Sequence, residues 1–381
     1  MRDFNFLGKL RDAQPGNVPF ISLYLNTSPN ETGKREFSIF LKKQLKDHLA
    51  VIELGSDKHT SFEKSQERIL EFVDDLDPST KGIAIFARSG EGDIFKTFEF
   101  AVPFEENHFY LFDRPYVFPL VRLIDQHPRF VVAAADTNSA HIYMIGQAEI
   151  INRADIQNTK TNRSEVGGWS QMRYQRHIEN FHQQHAKEVV EELEKLVRDH
   201  HIERVVVIGD QAVILPLLRE QMSKELGEKV VDSLALNVNT PEHELVEAAR
   251  EAVAHHNAEA DKKAIENLLE VNYDGGEGVT GFADTFAAVW NGQVQELYLS
   301  ADPSAVSYRT EDIKLLLKTY APGSDTNFPE ARDNELLIDE LIKQASRSAD
   351  RISFIEDPHL LKTAGGIGAL LRYQAKGVSS S

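Results

Sequence analysis

The sequence predicts an α/β protein of three domains, each a mixed sheet covered by helices. Short, β-rich apolar runs alternate along the chain with stretches in which apolar residues recur every three or four positions, the pattern of strands connected by helices. Its 381 residues are enough for two or three separate cores. The run Asp274-Gly275-Gly276-Glu277-Gly278 marks a connecting loop after a long charged helical stretch. We place the domains at 1–128, 129–270 and 271–381.

In the first region, Val18 to Asn26 alternates as a strand does, and Thr27-Ser28-Pro29-Asn30 ends it. Phe37, Phe40, Leu41, Leu45, Leu49 and Ile52 mark an amphipathic helix, and a second covers Phe62 to Leu76. Gly82 to Ala87, Ile94 to Val102 and Tyr116 to Ile124 read as strands, the first two joined by a turn at Gly90 to Asp93. In the second region, Phe130 to Ala135, His141 to Ile145 and Glu149 to Ile151 read as consecutive strands. Polar Arg153 to Glu165 reads as a long exposed loop. A helix follows, with Tyr174, Ile178, Phe181, His185, Val189, Leu193, Leu196 and Val197 on its apolar stripe. The strand Val205 to Ile208 and a helix through Ile214, Leu217 and Leu218 come next. After a short strand near Val230 to Leu236, Thr240 caps the charged helix, with Pro241 at its first position. In the third region, Phe282 to Trp290 is a helix, Val294 to Leu299 a strand, Leu336 to Ala345 a helix and Ile352 to Ile355 a strand. Thr363 to Tyr373 is a glycine-softened strand, and Gly377 to Ser381 a disordered tail.

The stretch with the most chemistry is Glu165-Val166-Gly167-Gly168-Trp169-Ser170-Gln171-Met172-Arg173-Tyr174-Gln175-Arg176. Paired glycines tolerate close backbone approach, Gln171 offers donors and an acceptor without charge, and Arg173 and Arg176 share a helical face. From Arg153 through Arg176, Arg153, Lys160, Arg163, Arg173 and Arg176 stand against only Asp155 and Glu165, a local basic patch on a chain of net charge −18. So acidic a chain does not coat nucleic acid by bulk attraction; contact with RNA has to be local. By residue types alone, the glycine pair reads first as a break between loop and helix.

This stretch, the helix after it and the strand Arg204 to Gly209 resemble the middle domain of the archaeal and eukaryotic class-one release factor and Pelota family, in its bacterial branch. Thr363-Ala364-Gly365-Gly366-Ile367-Gly368-Ala369-Leu370-Leu371-Arg372-Tyr373 resembles the end of the third domain of that family. The resemblance spans nearly the whole chain, though only these two motifs are specific. It implies a ribonuclease H-like middle domain, a first domain of the decoding-region type and a third domain that recruits a translational GTPase such as elongation factor Tu. In the family's release factors a Gly-Gly-Gln tip enters the peptidyl transferase centre and helps water cleave peptidyl-tRNA. By that likeness Gly167, Gly168 and Gln171 are the catalytic residues, and Arg163, Arg173, Arg176 and Trp169 contact RNA. Trp169 either stacks on a base or packs over the loop. This chain departs from the pattern in that Trp169 and Ser170 separate the glycines from Gln171. The Asn-Ile-Lys-Ser tetrapeptide and the cysteine-bearing motif of stop-codon decoding are absent as well.

Three functions follow from the resemblance: a peptidyl-tRNA hydrolase of ribosome rescue, a non-catalytic hibernation factor of the Balon type, and a nuclease that cleaves tRNA itself. In each the partner is the ribosome, with its RNA and peptidyl-tRNA. No cofactor is expected. The chain has no cysteine, which excludes disulfides and thiolate metal sites and suits a reducing cytoplasm. It shows no signal-like leader and no apolar run of membrane-spanning length, so no membrane is expected. His182 and His185 share a helical face but lack a third ligand at recognisable spacing, and they read as structural histidines rather than a metal site. Asp136 and Asp210 each follow a strand, as facing carboxylates or as turn caps. The glycines of Asp274 to Gly278 have neither a leading strand nor a Gly-Lys-Ser/Thr sequel, so they do not make a nucleotide site.

Overall fold

The computed structural model describes residues 4–30, 32–90, 92–146, 149–157, 169–308, 316, 319 and 333–373, with the backbone alone at 149–150, 157, 169–177 and 333–334. The chain divides into two compact units: His127–Ala260 is continuous, and Met1–Gln126 combines with Asp261–Ser381.

The N-terminal part of the discontinuous unit runs α1 (Gly8–Arg11), β1 (Phe20–Asn26), α2 (Phe37–Val51), α3 (Asp57–Asp74), β2 (Gly82–Arg88), β3 (Ile94–Phe100), β4 (His108–Phe112) and α4 (Phe118–Gln126). Its sheet has the order β3-β2-β1-β4, antiparallel throughout. Alternate residues Ile21, Leu23, Leu25, Ile83 and Ile85 turn to one face, where they meet Phe37, Leu41, Leu45, Phe62 and Ile69 of α2 and α3. On the sheet, Tyr24 stacks edge-on against Phe86, Phe104 and Tyr110, and its hydroxyl donates to the Tyr116 carbonyl at 2.5 Å.

The run Tyr116 to Ile124, expected as a strand, is corrected to the helix α4. Pro119 lacks the N–H a ladder needs but fits a first helical turn. The free N–H groups of Val117 and Phe118 donate to the Asp339 carboxylate at 2.5 and 2.8 Å, which caps the helix from far along the chain.

The continuous unit contains β5 (Phe130–Ala135), β6 (Ser139–Gly146), β7 (Glu149–Gln157), α5 (Trp169–Asp199), β8 (Val205–Ile208), α6 (Ile214–Gln221), α7 (Lys224–Lys229), β9 (Val230–Leu234) and most of α8 (Glu242–Tyr273). The sheet order is β7-β6-β5-β8-β9. The first three strands form an antiparallel meander, and β8 and β9 add parallel to β5 across helical connections. One face of the sheet, with Val131, Ala133, Ile142 and Val207, packs on α5 and α6. The other, with Val132, Tyr143, Ile145 and Val206, packs on Leu245, Val246, Ala249 and Val253 of α8. The expected loop from Arg153 is corrected here: β7 continues to Gln157, with Arg153 opposite Tyr143 and Asp155 opposite His141. Ladder pairing outweighs the polar composition because β7 is an edge strand with one face in water. The remainder of the expected loop, 158–165, lies outside the described residues.

The C-terminal part of the discontinuous unit adds β10 (Gly278–Thr280), α9 (Phe282–Trp290), β11 (Val294–Ser300), α10 (Asp333–Ala345), β12 (Arg351–Ile355) and β13 (Ile367–Leu371). The strand order is β10-β13-β11-β12, with only the β11–β12 pair parallel. Gly366 has φ +80°, and a Cβ there would lie 2.5 Å from the Ala305 carbonyl oxygen, so the turn into β13 admits only glycine. This sheet joins the N-terminal one through α4 and α10. Lys343 lies 2.7 Å from Asp339 in a buried pair and also donates to the Pro115 carbonyl. Phe118 meets Phe354 edge-on at 5.1 Å, and Asp125 accepts from the Phe354 N–H at 2.8 Å. No helix among the described residues is long and apolar enough to cross a membrane.

Candidate functional site

The expected site lies where β7 leaves the sheet of the continuous unit and α5 returns to it. Arg163, Gly167 and Gly168 lie outside the described residues. The backbone puts Trp169 and Gln171 in the first turn of α5, with Arg173 and Arg176 on its next turns; the side chains of these four also lie outside the described residues. Helical backbone therefore begins five residues before the apolar stripe that starts at Tyr174, and it takes in Gln171.

The structure describes how this segment is held. Residues 178–184 of α5 are half-buried or exposed. From His185 onward, Ala186, Val189, Val190, Leu193, Leu196 and Val197 are buried against the sheet at three- and four-residue steps. Gln171 precedes His185 by fourteen residues of helix, about 21 Å at 1.5 Å per residue. The seat is therefore a full half-helix away from the segment it carries. His185 is itself buried, beside the backbone of Ser139 and Asp136 in the β5–β6 turn. Burial holds its imidazole below the usual histidine range, and those backbone groups, with the Asp136 and Glu188 charges, oppose the shift. This places His185 as a neutral core residue. Asp136 and Asp210 are turn caps: Asp136 accepts from Asn138 and Ser139 N–H at 2.7 Å, and Asp210 from Ala212 and Val213 N–H at 2.8 and 2.9 Å. Among the described residues no group of three or more His, Asp or Glu side chains is placed to hold a metal ion.

A polar cluster that the sequence reading missed fixes the outgoing strand. Asp155 Oδ1 lies 2.6 Å from His141 Nδ1 on β6, and Arg153 donates to Asp155 at 2.9 Å. Arg153 also reaches Glu242, at the head of α8, at 2.8 Å, and its guanidinium lies over the Tyr143 ring. Hydrogen bonds from His141 and then Arg153 hold the Asp155 carboxyl below its usual range. The cluster thus ties the last strand before the segment to its neighbour and to a helix on the far face. Its signal was present: on a strand, residues 153 and 155 share a face.

The site is thus a strand-fed helix seated in an α/β unit with helices on both faces of its sheet. Residues 115–254 match the model of bacterial archaeo-eukaryotic release factor family 10. Among solved structures, the archaeal translation termination factor aRF1 aligns at 16% identity over 97% of this chain and 96% of its own, with a TM-score of 0.26. Archaeoglobus fulgidus Pelota aligns at 14% identity over 78% and 80%, with a TM-score of 0.32. Saccharomyces cerevisiae Dom34, described as a termination-like factor in RNA quality control that interacts with Hbs1, aligns at 11% identity over 78% and 80%, with a TM-score of 0.40. Scores this low carry no argument, and the family model matches residues 115–254 alone. No curated protein matches the chain.

Proposed function

We propose that this chain is a cytoplasmic, ribosome-binding translation factor that brings Gly167 to Gln171 to the peptidyl transferase centre and promotes peptidyl-tRNA hydrolysis in ribosome rescue. The supporting observation is that the family match spans this segment and its whole supporting helix. The chemistry is acyl transfer to water, with most of the machinery supplied by ribosomal RNA and the tRNA ribose. Gln171 orients the water, and Gly167 and Gly168 permit the approach. Arg163, Arg173 and Arg176 pair with RNA phosphates, and Trp169 stacks on a base. In this proposal 1–128 occupies the decoding region, 129–270 carries the segment, and 271–381 recruits a translational GTPase such as elongation factor Tu.

A second reading, a non-catalytic hibernation factor, is favoured by one observation: Trp169 and Ser170 intervene between the glycines and Gln171. Peptide release from bacterial ribosomes that hold labelled peptidyl-tRNA beside an empty A site separates the two. Under the hydrolase reading, Gln171→Ala lowers the rate by roughly 10²–10³. No release from either form, while both still pellet with ribosomes, abandons hydrolysis in favour of hibernation. Fragmented tRNA in the same reaction would instead identify a nuclease.

A further inference from the structure

The strongest unassigned feature of the discontinuous unit is the outer face of α2 and α3. Between them lies a groove of about 460 Å³, floored by Leu45, Leu49, Ile52 and Leu70 and rimmed by Lys42 and Lys46. Leu54, which lines it, is 84% exposed, and on α2 Ile39 and Val51 are 72% and 80% exposed. A single exposed aliphatic side chain is ordinary; Leu54 differs in that it lines the apolar groove itself, a surface of the kind that another molecule covers.

The charges define the chemistry of the cover. Ile39, Lys42, Lys43 and Lys46 fall on one face of α2. Lys42, Lys43 and Lys46 make no ion pair among the described residues, although Asp47 follows directly, and Glu63 is paired with His59 at 3.2 Å. On a chain of net charge −18 this is a local basic strip. Lysines alone would suit any polyanion. A leucine floor suits a ligand with its own apolar stripe, which a phosphate backbone lacks. The 15 residues of α2 extend about 22 Å, room for roughly four turns of a docked helix.

We propose that the α2–α3 groove docks an acidic amphipathic helix of a partner protein, its apolar stripe on Leu45, Leu49 and Ile52 and its carboxylates against Lys42, Lys43 and Lys46. This surface is separate from the segment at the head of α5 and stands whether or not that segment hydrolyses anything.

The test is fluorescence anisotropy of a labelled helical peptide of about four turns, with leucines on one stripe and glutamates elsewhere, titrated with the full chain. Saturable binding is expected. Leu54→Asp, and separately Lys42→Glu with Lys46→Glu, should each weaken it at least about tenfold, and added salt should weaken the lysine-dependent part. A peptide of the same composition with its leucines scattered should bind about tenfold less tightly. All substituted side chains are exposed, and unchanged circular dichroism confirms that the variants fold. The proposal is overturned by absence of binding, by equal binding of the scattered peptide, or by binding that none of the variants reduces. It is also overturned if single-stranded RNA or phosphatidylglycerol vesicles bind this face with the same dependence on Leu54 and displace the peptide.

Discussion

Replacing Lys343 with methionine strips Asp339 of its counter-charge where water cannot take its place. The two side chains are 4% and 1% exposed, and 2.7 Å separates Nζ from Oδ2. Removing one member of a buried ion pair costs about 3–5 kcal/mol, because the other is left charged in a poor solvent. Here the lower end is expected. Asp339 keeps the N–H groups of Val117 and Phe118, and the positive end of α4 adds a favourable ~1 kcal/mol. Asp339→Leu should cost about 4–5 kcal/mol, since it strands the Lys343 ammonium and orphans both N–H donors. The double substitution Asp339→Leu with Lys343→Met removes both charges together, leaving chiefly the orphaned donors, about 1–3 kcal/mol. The cycle should therefore show coupling of at least about 2 kcal/mol. The assay is urea unfolding followed by Trp290, which stacks on Phe286 at 3.9 Å. A Trp169→Phe background leaves it the sole tryptophan. Single substitutions that each cost under about 1 kcal/mol, or a double that costs their sum, would refute the reasoning.

Three further outcomes are expected. Because burial lowers the His185 pKa, the unfolded chain takes up a proton near pH 6.5 that the folded one refuses, so stability falls as pH drops through that value; His185→Phe should flatten the slope of the urea midpoint between about pH 7.5 and 5.5. Leu193→Ala empties a fully buried position under α5 and should cost about 2–5 kcal/mol in the continuous unit, read by circular dichroism in urea. Gly366→Ala, at φ +80° and against the Ala305 carbonyl, should cost more than about 2 kcal/mol. Gly292→Ala, at φ +66° but in open space, should cost only about 1–2; equal losses in thermal melts would mean that the carbonyl simply moves aside.

What could be read from the sequence was what the local pattern dictates. Phe282–Trp290 is a helix within its expected bounds, and β1, β2, β5, β8, β11 and β12 fall within the apolar runs that mark them or within a residue or two of their ends. The stripe on α5 is buried from His185 onward as its spacing requires. What escaped depends on distant partners. The run before Ile124 is apolar enough for either state, and the carboxylate that caps its helix, Asp339, comes from the other end of the chain. β4, which went unread, is a short aromatic run whose place is set by pairing with β1. Arg153 and Asp155 read as loop until β6 supplies a ladder and His141 a partner. The partnership of the two chain ends in one unit leaves no trace in any local window.

That partnership bears on the order of synthesis. The continuous unit is complete in the nascent chain once Ala260 has emerged, whereas the N-terminal sheet must wait for Asp339 and Lys343 before α4 is capped and its carbonyl neighbour bonded. The last strand made, Ile367–Leu371, is an inner one, between β10 and β11. A chain stalled short of it would carry a finished middle and, beyond it, a C-terminal sheet lacking an inner strand, with the edges of β10 and β11 unpaired and available to aggregation.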